Sequence, residues 1–184
     1  MTLRVVKNAV AAIFLFLCGC SVHMNDQGGV YDKTYHSDVK SVLLLDKFSR
    51  QTDVRVRHLF FDALKNNLAR CNVALNEVQL DAVSLDINRD IDAKIKENNA
   101  DSLLYVLTTA VDLNQKSQIM GETFRTKFTD IASRKTVWVN DYNISIQSFT
   151  LEGFTFDQTR QMVTKVADSI FEKLQKIGIL KNCH

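Results

Sequence analysis

The residues of this 184-residue chain whose type and spacing could do chemistry are its cysteines and histidines. A thiol becomes a nucleophile when a neighbouring base activates it, and thiols and imidazoles bind zinc when they come in spaced pairs. The chain contains no Gly-x-Ser-x-Gly, His-Glu-x-x-His, Walker or Gly-x-Gly-x-x-Gly motif. The cysteines stand at positions 18, 20, 71 and 183, and the histidines at 23, 36, 58 and 184.

Two arrangements of these residues could still form a site. Cys71 and His58 could pair as a dyad, but nothing in the sequence supports an oxyanion hole beside them. Cys183 and His184 are adjacent at the chain end and lack the spaced partners that a zinc site needs. We therefore expect a protein that is not an enzyme and that uses no metal or cofactor.

The N-terminal residues have the pattern of an export signal. Arg4 and Lys7 precede an unbroken apolar run of nine residues, from Ala9 to Leu17. A helix of that length rises about 14 Å, roughly half of the hydrocarbon core of a bilayer. The run therefore predicts the apolar region of a signal peptide rather than a membrane-spanning helix.

The sequence Leu17-Cys18-Gly19-Cys20 resembles the lipobox of bacterial lipoproteins. The resemblance implies cleavage between Gly19 and Cys20, a diacylglyceryl thioether on the Cys20 sulfur and an acylated amine. Cys18 is an alternative acceptor, but no small residue precedes it. Ser21, in place of the aspartate typical of inner-membrane retention, favours the periplasmic face of the outer membrane.

The residues after Cys20 predict a short tether. The segment 20–38 is polar, contains Gly28 and Gly29 and has no clear period, so we expect a flexible chain with a root-mean-square span of about 24 Å. The alternative is an edge strand around Gly29 to Tyr31. The remaining residues, 39–184, form one domain in this interpretation.

The composition supports one ordered domain and excludes a nucleic-acid protein. Hydrophobic residues make up 46% and charged residues 24% of the chain, and there is no proline. The formal net charge is +2, and removal of Arg4 and Lys7 gives 2 − 2 = 0. A neutral domain lacks the basic surface that binds nucleic acid.

Hydrophobic periodicity predicts an α/β (α+β) fold in the order β-α-β-α-β-β-β-α, with helices packed on a mixed sheet of about four to five strands. The continuous apolar run at 40–46 is typical of a strand covered on both faces. Thr52 or Asp53 is the expected N-cap of the first helix, and Thr155 or Asp157 that of the last, which Gly178 ends. The predicted strands are 40–46, 73–78, 103–111, 122–129 and 136–146, and the predicted helices cover 56–68, 87–95 and 162–177.

Cys71 and Cys183 are a candidate disulfide pair. With Cys20 acylated they are the remaining thiols in an oxidising compartment. They follow the first and last helices, and we expect them to meet if those helices pack side by side and antiparallel. Two separate thiols are the alternative.

Two groups of residues are candidate partner surfaces. The basic residues of the 122–139 hairpin could bind a partner or an anionic head group, or could be solvated charges that block aggregation at a sheet edge. The large apolar residues before the last helix, three phenylalanines and a leucine, could contact a protein or lipid, or could pack its N-terminus onto the core. The first group is Arg125, Lys127, Arg134 and Lys135, and the second is Phe149, Leu151, Phe154 and Phe156.

Three features together resemble a known group of envelope proteins: the strand-then-helix opening from Val42 to Leu68, the segment Asn99-Ala100-Asp101-Ser102-Leu103-Leu104, and the hairpin from Asp130 to Trp138. They are similar to the α/β domain of the TolB amino-terminal domain, the curli-secretion lipoprotein, the penicillin-binding-protein activator lipoproteins and the auxiliary lipoproteins of ABC-type lipid transporters. The resemblance spans roughly Val39 to Leu180. It implies an accessory or assembly role without a catalytic residue.

These observations together predict a lipid-anchored outer-membrane lipoprotein. We expect it to bind a protein partner in an envelope transport, secretion or assembly complex. A short tether without proline argues against an activator that must reach the inner membrane. The alternative is a periplasmic carrier or binding module for a small apolar or lipid ligand, held between sheet and helices. Self-association is open in either case.

Overall fold

The computed structural model describes residues 21–36, 38–48, 54–78, 87–147, 155–181 and 183. These residues form a six-stranded mixed sheet with helices on both faces. The elements in chain order are β1 (Ser21–Tyr31), β2 (Ser41–Lys47), α1 (Val54–Ala69), β3 (Ala74–Val78), α2 (Ile87–Glu97), β4 (Ser102–Leu113), β5 (Ile119–Asp130), β6 (Lys135–Gln147) and α3 (Phe156–Lys176).

The sheet has the strand order β1-β6-β5-β4-β2-β3. The strands β4, β5, β6 and β1 are paired antiparallel, whereas β2 runs parallel to both of its neighbours. From β2 onward the predicted order is confirmed. The predicted count of four to five strands is wrong, because β1 adds a sixth strand at the edge.

β1 corrects the prediction of a flexible tether over 20–38. Ser21–Tyr31 pairs with β6 from Ser21↔Gln147 to Tyr31↔Trp138, with an irregularity between Asp26 and Gly29. The open alternative, an edge strand near Gly29 to Tyr31, agrees with this pairing. A Cβ at Gly29 would lie 2.6 Å from the carbonyl oxygen of Val139, so glycine permits this close approach of the two strands.

The larger core lies between the sheet and the helices α1 and α3, on what we call the inner face. Both helices bury an apolar stripe at three- and four-residue spacing, as the sequence predicts. In α1 the stripe is Val56, Phe60, Leu64 and Leu68, and in α3 it includes Met162, Val166, Ile170 and Leu174. The sheet contributes Leu44, Leu104, Phe128, Trp138 and Tyr142, each at most 1% exposed.

The two helices run parallel, so the antiparallel arrangement that was the condition for Cys71 and Cys183 to meet is wrong. The Arg55 guanidinium lies 4.7 Å from the Phe156 ring at their N-terminal ends, and that of Arg70 lies 5.0 Å from the Phe171 ring near their C-terminal ends. Because both C-termini therefore lie at one end, Cys71 and Cys183 meet and form a disulfide.

The smaller core lies on the opposite, outer face of the sheet, under α2. It consists of Leu43, Leu45, Val78, Ile91 and Leu103, with Ile95 and Tyr105 at its border. Since β2 sends Leu43 and Leu45 to this face and Val42 and Leu44 to the other, all four are buried. The continuous apolar run of β2 is thus explained by cover on both faces.

The helix ends agree with the sequence where they are described. Thr155 is the N-cap of α3, and its side chain and that of Gln158 form a reciprocal capping box. Gly178 follows the helix with a positive φ of 79°. The predicted N-caps of α1, Thr52 and Asp53, lie outside the described residues. Among the described helices, none has the length and hydropathy to cross a bilayer.

Candidate binding surface and anchor

The predicted lipidation site directly precedes the first described residue in the chain. Gly19 and Cys20 lie outside the described residues, but β1 begins at Ser21, the next residue in the chain. If Cys20 carries the lipid, no spacer separates it from the sheet. The position of β1 on the domain therefore determines how an anchored protein would be held.

Asp26 fastens β1 to the inner face. Its carboxylate lies 2.8 Å from the Lys173 ammonium of α3 and accepts hydrogen bonds from the Gly28 amide at 2.9 Å and the Asn140 side chain at 3.1 Å. Burial alone would raise the pKa of Asp26, but these donors outweigh burial and lower it. No local pattern predicts this contact, because Asp26 and Lys173 are distant in the chain.

No described element covers the outer face beyond α2, and this part of the face carries a shallow groove of about 370 Å³. Half-buried Tyr105 and exposed Leu107 of β4 form its apolar part, and Arg125 and Lys127 of β5 form its polar side. Leu107 is 38% exposed, in contrast to the neighbouring inward Val106, which is fully buried. The groove therefore presents apolar surface beside positive charge.

Asp141 neutralises one of the three cations that line this groove, which are Lys47, Arg125 and Lys127. Arg125 donates from Nε at 2.8 Å and from a terminal nitrogen at 2.7 Å to the two carboxylate oxygens of Asp141. These hydrogen bonds lower the pKa of Asp141 and raise that of Arg125. Lys127 forms no ion pair with any residue that the structure describes. Among the described residues, Lys127 and Lys47 are thus the positive charges of the groove that no ion pair neutralises.

A second groove, of about 750 Å³, continues the first toward α2, since Tyr105 and Thr129 line both. Arg134 lines it from the β5–β6 turn, opposite Asp92 and Ile95 of α2. Together the two grooves form a strip along the outer face, which we call the outer groove. The structure thus brings Arg125, Lys127 and Arg134 to one surface.

Lys135 does not belong to the outer groove. Lys135 is the first residue of β6 and lies near Asp32 in the turn after β1. Hydrogen bonds from Thr34 are the main cause of the lowered pKa of Asp32, and the charge of Lys135 lowers it further. The prediction that the lysines of the hairpin protect a sheet edge is wrong, because β5 and β6 are interior strands of the sheet. The other part of that alternative, solvated charges, agrees with the exposure of all four basic residues.

Of the apolar group before the last helix, the structure describes Phe156, whereas Phe149, Leu151 and Phe154 lie outside the described residues. Phe156 is the first residue of α3 and is 42% exposed. The guanidinium of Arg55 stacks on its ring. Phe156 thus links the N-termini of α1 and α3 at the surface rather than entering the core.

The acidic residues of the sequence motifs stabilise turns. Asp101 accepts hydrogen bonds from the amides of Lys40 at 2.7 Å and Ser41 at 3.2 Å, which joins the starts of β2 and β4. Asp130 accepts the Ser133 amide at 2.8 Å and the Tyr35 hydroxyl at 3.1 Å. Their roles are structural.

A carboxylate at the end of β2 is the chemical feature that sequence reasoning missed. The Asp46 side chain is 5% exposed and lies 3.0 Å from Nε of Arg57 on α1. Burial raises the pKa of Asp46, although the positive charge of Arg57 acts in the opposite direction. The pKa of Glu77 is raised as well, first by burial and then by the negative charge of Asp46. His58 beside them is exposed. Among the described residues, no group of three or more histidine, cysteine or acidic side chains is placed to hold a metal ion.

No family model matches the sequence, and no curated protein matches it. Solved structures with a loosely similar fold include PelC, a dodecamer from Paraburkholderia phytofirmans, with 10% identity over 85% of this chain and 98% of that chain and a TM-score of 0.49. Lipoprotein GNA1162 from Neisseria meningitidis is 12% identical over 72% and 99% of the two chains, with a TM-score of 0.38. TolB from Acinetobacter baumannii is 10% identical over 85% of this chain and 32% of that chain, with a TM-score of 0.36. No function is drawn from these likenesses.

Proposed function

We propose that this protein is a lipid-anchored accessory lipoprotein of the outer membrane that binds a protein partner in an envelope transport, secretion or assembly complex. The observation that carries the proposal is the outer groove, a strip of the sheet that no described element covers, whereas α1 and α3 pack on the other face. The lipobox supports the anchor, and Ser21 supports the outer membrane.

The chemistry of the outer groove fits an extended protein segment. Tyr105 and Leu107 offer apolar contact, and Lys127 and Arg134 offer positive charge along the strip. A partner segment with alternating apolar and acidic side chains would match both. Apolar anchors supply most of the affinity of such contacts, and charges at the rim set specificity and association rate.

The anchor would make a weak contact sufficient. A protein confined to a membrane surface meets a partner in the same membrane at a high effective concentration. The groove is shallow and small compared with a standard protein interface, so its own affinity is expected to be modest.

The alternative expectation, a carrier with its ligand between sheet and helices, finds no support in the packing. That space is filled by Trp138, Tyr142 and Phe128, which are fully buried against α1 and α3. No observation favours a ligand there.

Site-specific photo-crosslinking in intact cells tests the proposal. A photoreactive residue at Lys127 should capture one discrete envelope protein, and the same residue at Lys65, an exposed lysine of α1, should not. For the charge-reversed variant Lys127→Glu, the photoreactive residue is placed at Leu107 instead. This variant should lose the crosslinked product because the charge of the groove is reversed. Equal capture at both positions, or none at Lys127, would contradict the proposal.

A further inference from the structure

The end of the sheet at which β1 begins is the part of the molecule nearest to the predicted anchor. One residue spans at most about 3.6 Å, so an acylated Cys20 lies within that distance of Ser21. From this geometry we infer that the anchored domain lies directly on the bilayer, with this end of the sheet against the lipid head groups. The inference rests on the anchor of the proposed function.

Strand register identifies what else lies at this end. Ser21 pairs with Gln147, and two residues further into the sheet His23, Ser145 and Gly121 form one row across β1, β6 and β5. Ile119, two residues before Gly121, is paired with Leu113 of β4. The β4–β5 hairpin therefore extends to the same level as Ser21 or past it.

The N-termini of α1 and α3 lie at this end as well. Along β1, Asp26 contacts Lys173, whereas Gly29 and Tyr31 lie beside Lys176 and Ile177, so α3 runs in the direction of β1. Phe156 precedes Lys173 by 17 residues, which is a helix rise of about 25 Å. Ser21 precedes Asp26, the partner of Lys173, by only about 17 Å of strand. The start of α3 therefore reaches the level of Ser21 or extends past it. Arg55 on Phe156 places the start of α1 beside that of α3.

Exposed apolar side chains occur on each of these elements. Val54 is 57% exposed, Leu113 47% and Phe156 42%. Lys116 stands at the tip of the hairpin turn, where the Asn114 side chain accepts the amides of Lys116 and Gln118 at 2.9 Å each. Apolar residues with a nearby lysine are what an interfacial contact with phospholipid requires.

Charge among the described residues at this end is nearly balanced, so we expect apolar side chains to contribute more than charge to the membrane contact. Arg55, Lys116 and Arg160 are set against Asp112 and Asp157, and Asp157 lies 3.4 Å from Arg160. The opposite end has exposed apolar residues too, since Val30 is 79% exposed. Val30 is nine residues along β1 from Ser21, about 30 Å away, which is too far to touch the same bilayer surface in this orientation.

Lipid-dependent quenching tests the orientation. The full acylated protein is placed in phosphatidylethanolamine and phosphatidylglycerol vesicles that contain brominated chains, with one fluorescent label at Leu113→Cys or, as control, at Val30→Cys. The native disulfide and the acylated Cys20 leave the introduced thiol for labelling. We expect several-fold stronger quenching at position 113 than at position 30. Equal quenching at both would overturn the inference.

A spacer variant separates this inference from the anchor itself. Insertion of about 20 glycine and serine residues between Cys20 and Ser21 gives a span of roughly 25 Å. The vesicles should still carry the protein on flotation, while quenching at position 113 falls to the level at position 30. If the parent protein and the spacer variant both float and both show stronger quenching at position 113 than at position 30, the direct attachment of β1 to the anchor does not set the orientation. Failure of the parent protein to float would overturn the anchor and with it the proposed function.

Discussion

On the inner face of the sheet, Phe128, Trp138 and Tyr142 are at most 1% exposed under α1 and α3, whereas on the outer face Leu107 is 38% exposed and Lys127 has no ion pair among the described residues. The strands β4, β5 and β6 contribute alternate residues to both faces. The difference shows that the two-helix layer secures the fold, which leaves the outer groove available for binding.

Truncation of one large side chain on each face should show this difference most strongly. Phe128→Ala removes a fully buried ring and should lower the free energy of unfolding by about 3–5 kcal/mol. Leu107→Ala, the matched change on β4, should cost about 1 kcal/mol or less because the side chain is partly solvated. Denaturant titration of both variants measures this, and equal losses would remove the distinction between the faces.

Removal of the disulfide should destabilise the inner layer. Cys71 and Cys183 are 112 residues apart and join the ends of α1 and α3. Cys71→Ser with Cys183→Ser should lower the free energy of unfolding by about 2–4 kcal/mol, because the unfolded chain regains entropy. The reduced wild-type protein is the control and should match the double variant. A reductant-insensitive wild type would show that the bond does not form.

Loss of the Asp26 contact should loosen β1 without unfolding the domain. Asp26→Asn removes the charge that pairs with Lys173 and should cost about 1 kcal/mol. Hydrogen exchange should become faster for β1 amides. Asp141→Asn, which breaks the ion pair with Arg125 on the outer face, should leave β1 exchange unchanged.

The same contact predicts a dependence on pH. The pKa of Asp26 is lowered in the folded protein, so its stabilisation is present above the ordinary pKa of 3.8 and is lost as the pH falls through the lowered value. β1 exchange in the wild type should therefore approach that of Asp26→Asn in acid, after correction for intrinsic exchange rates. A difference that persists in strong acid would contradict this role for Asp26.

Charge reversal in the outer groove should have the smallest effect on the fold. Lys127→Glu changes an exposed side chain without an ion pair in the described structure, so the free energy of unfolding should stay within about 0.5 kcal/mol. Thermal denaturation checks this alongside the loss of crosslinking. A large destabilisation would mean that Lys127 supports the sheet rather than a partner.

Local signals in the sequence were sufficient for most elements. The apolar run of β2, the stripe of α3 with its Thr155 cap and the β5–β6 hairpin all depend on residues close in the chain. β1 was missed because its sequence is polar, its inward Asp26 is charged and the irregularity before Gly29 breaks the alternation. The strand is held by Lys173 and Asn140, partners that only the folded chain brings near.

The candidate surface was predictable only in part. The basic residues of the hairpin are evident in the sequence. Which of them line the outer groove, and that Lys135 instead lies near Asp32, depends on the strand register. Neither the pairing of Arg125 with Asp141 nor the groove beside Tyr105 has a local signature. The parallel packing of α1 and α3 likewise follows from the order of strands in the sheet, which periodicity does not determine.

The intact mass of the protein extracted from cell envelopes is the sharpest test of lipid anchoring. We expect a chain that begins at Cys20 and carries a diacylglyceryl thioether and an acylated amine. A chain that begins elsewhere, with the mass of unmodified residues, would contradict it.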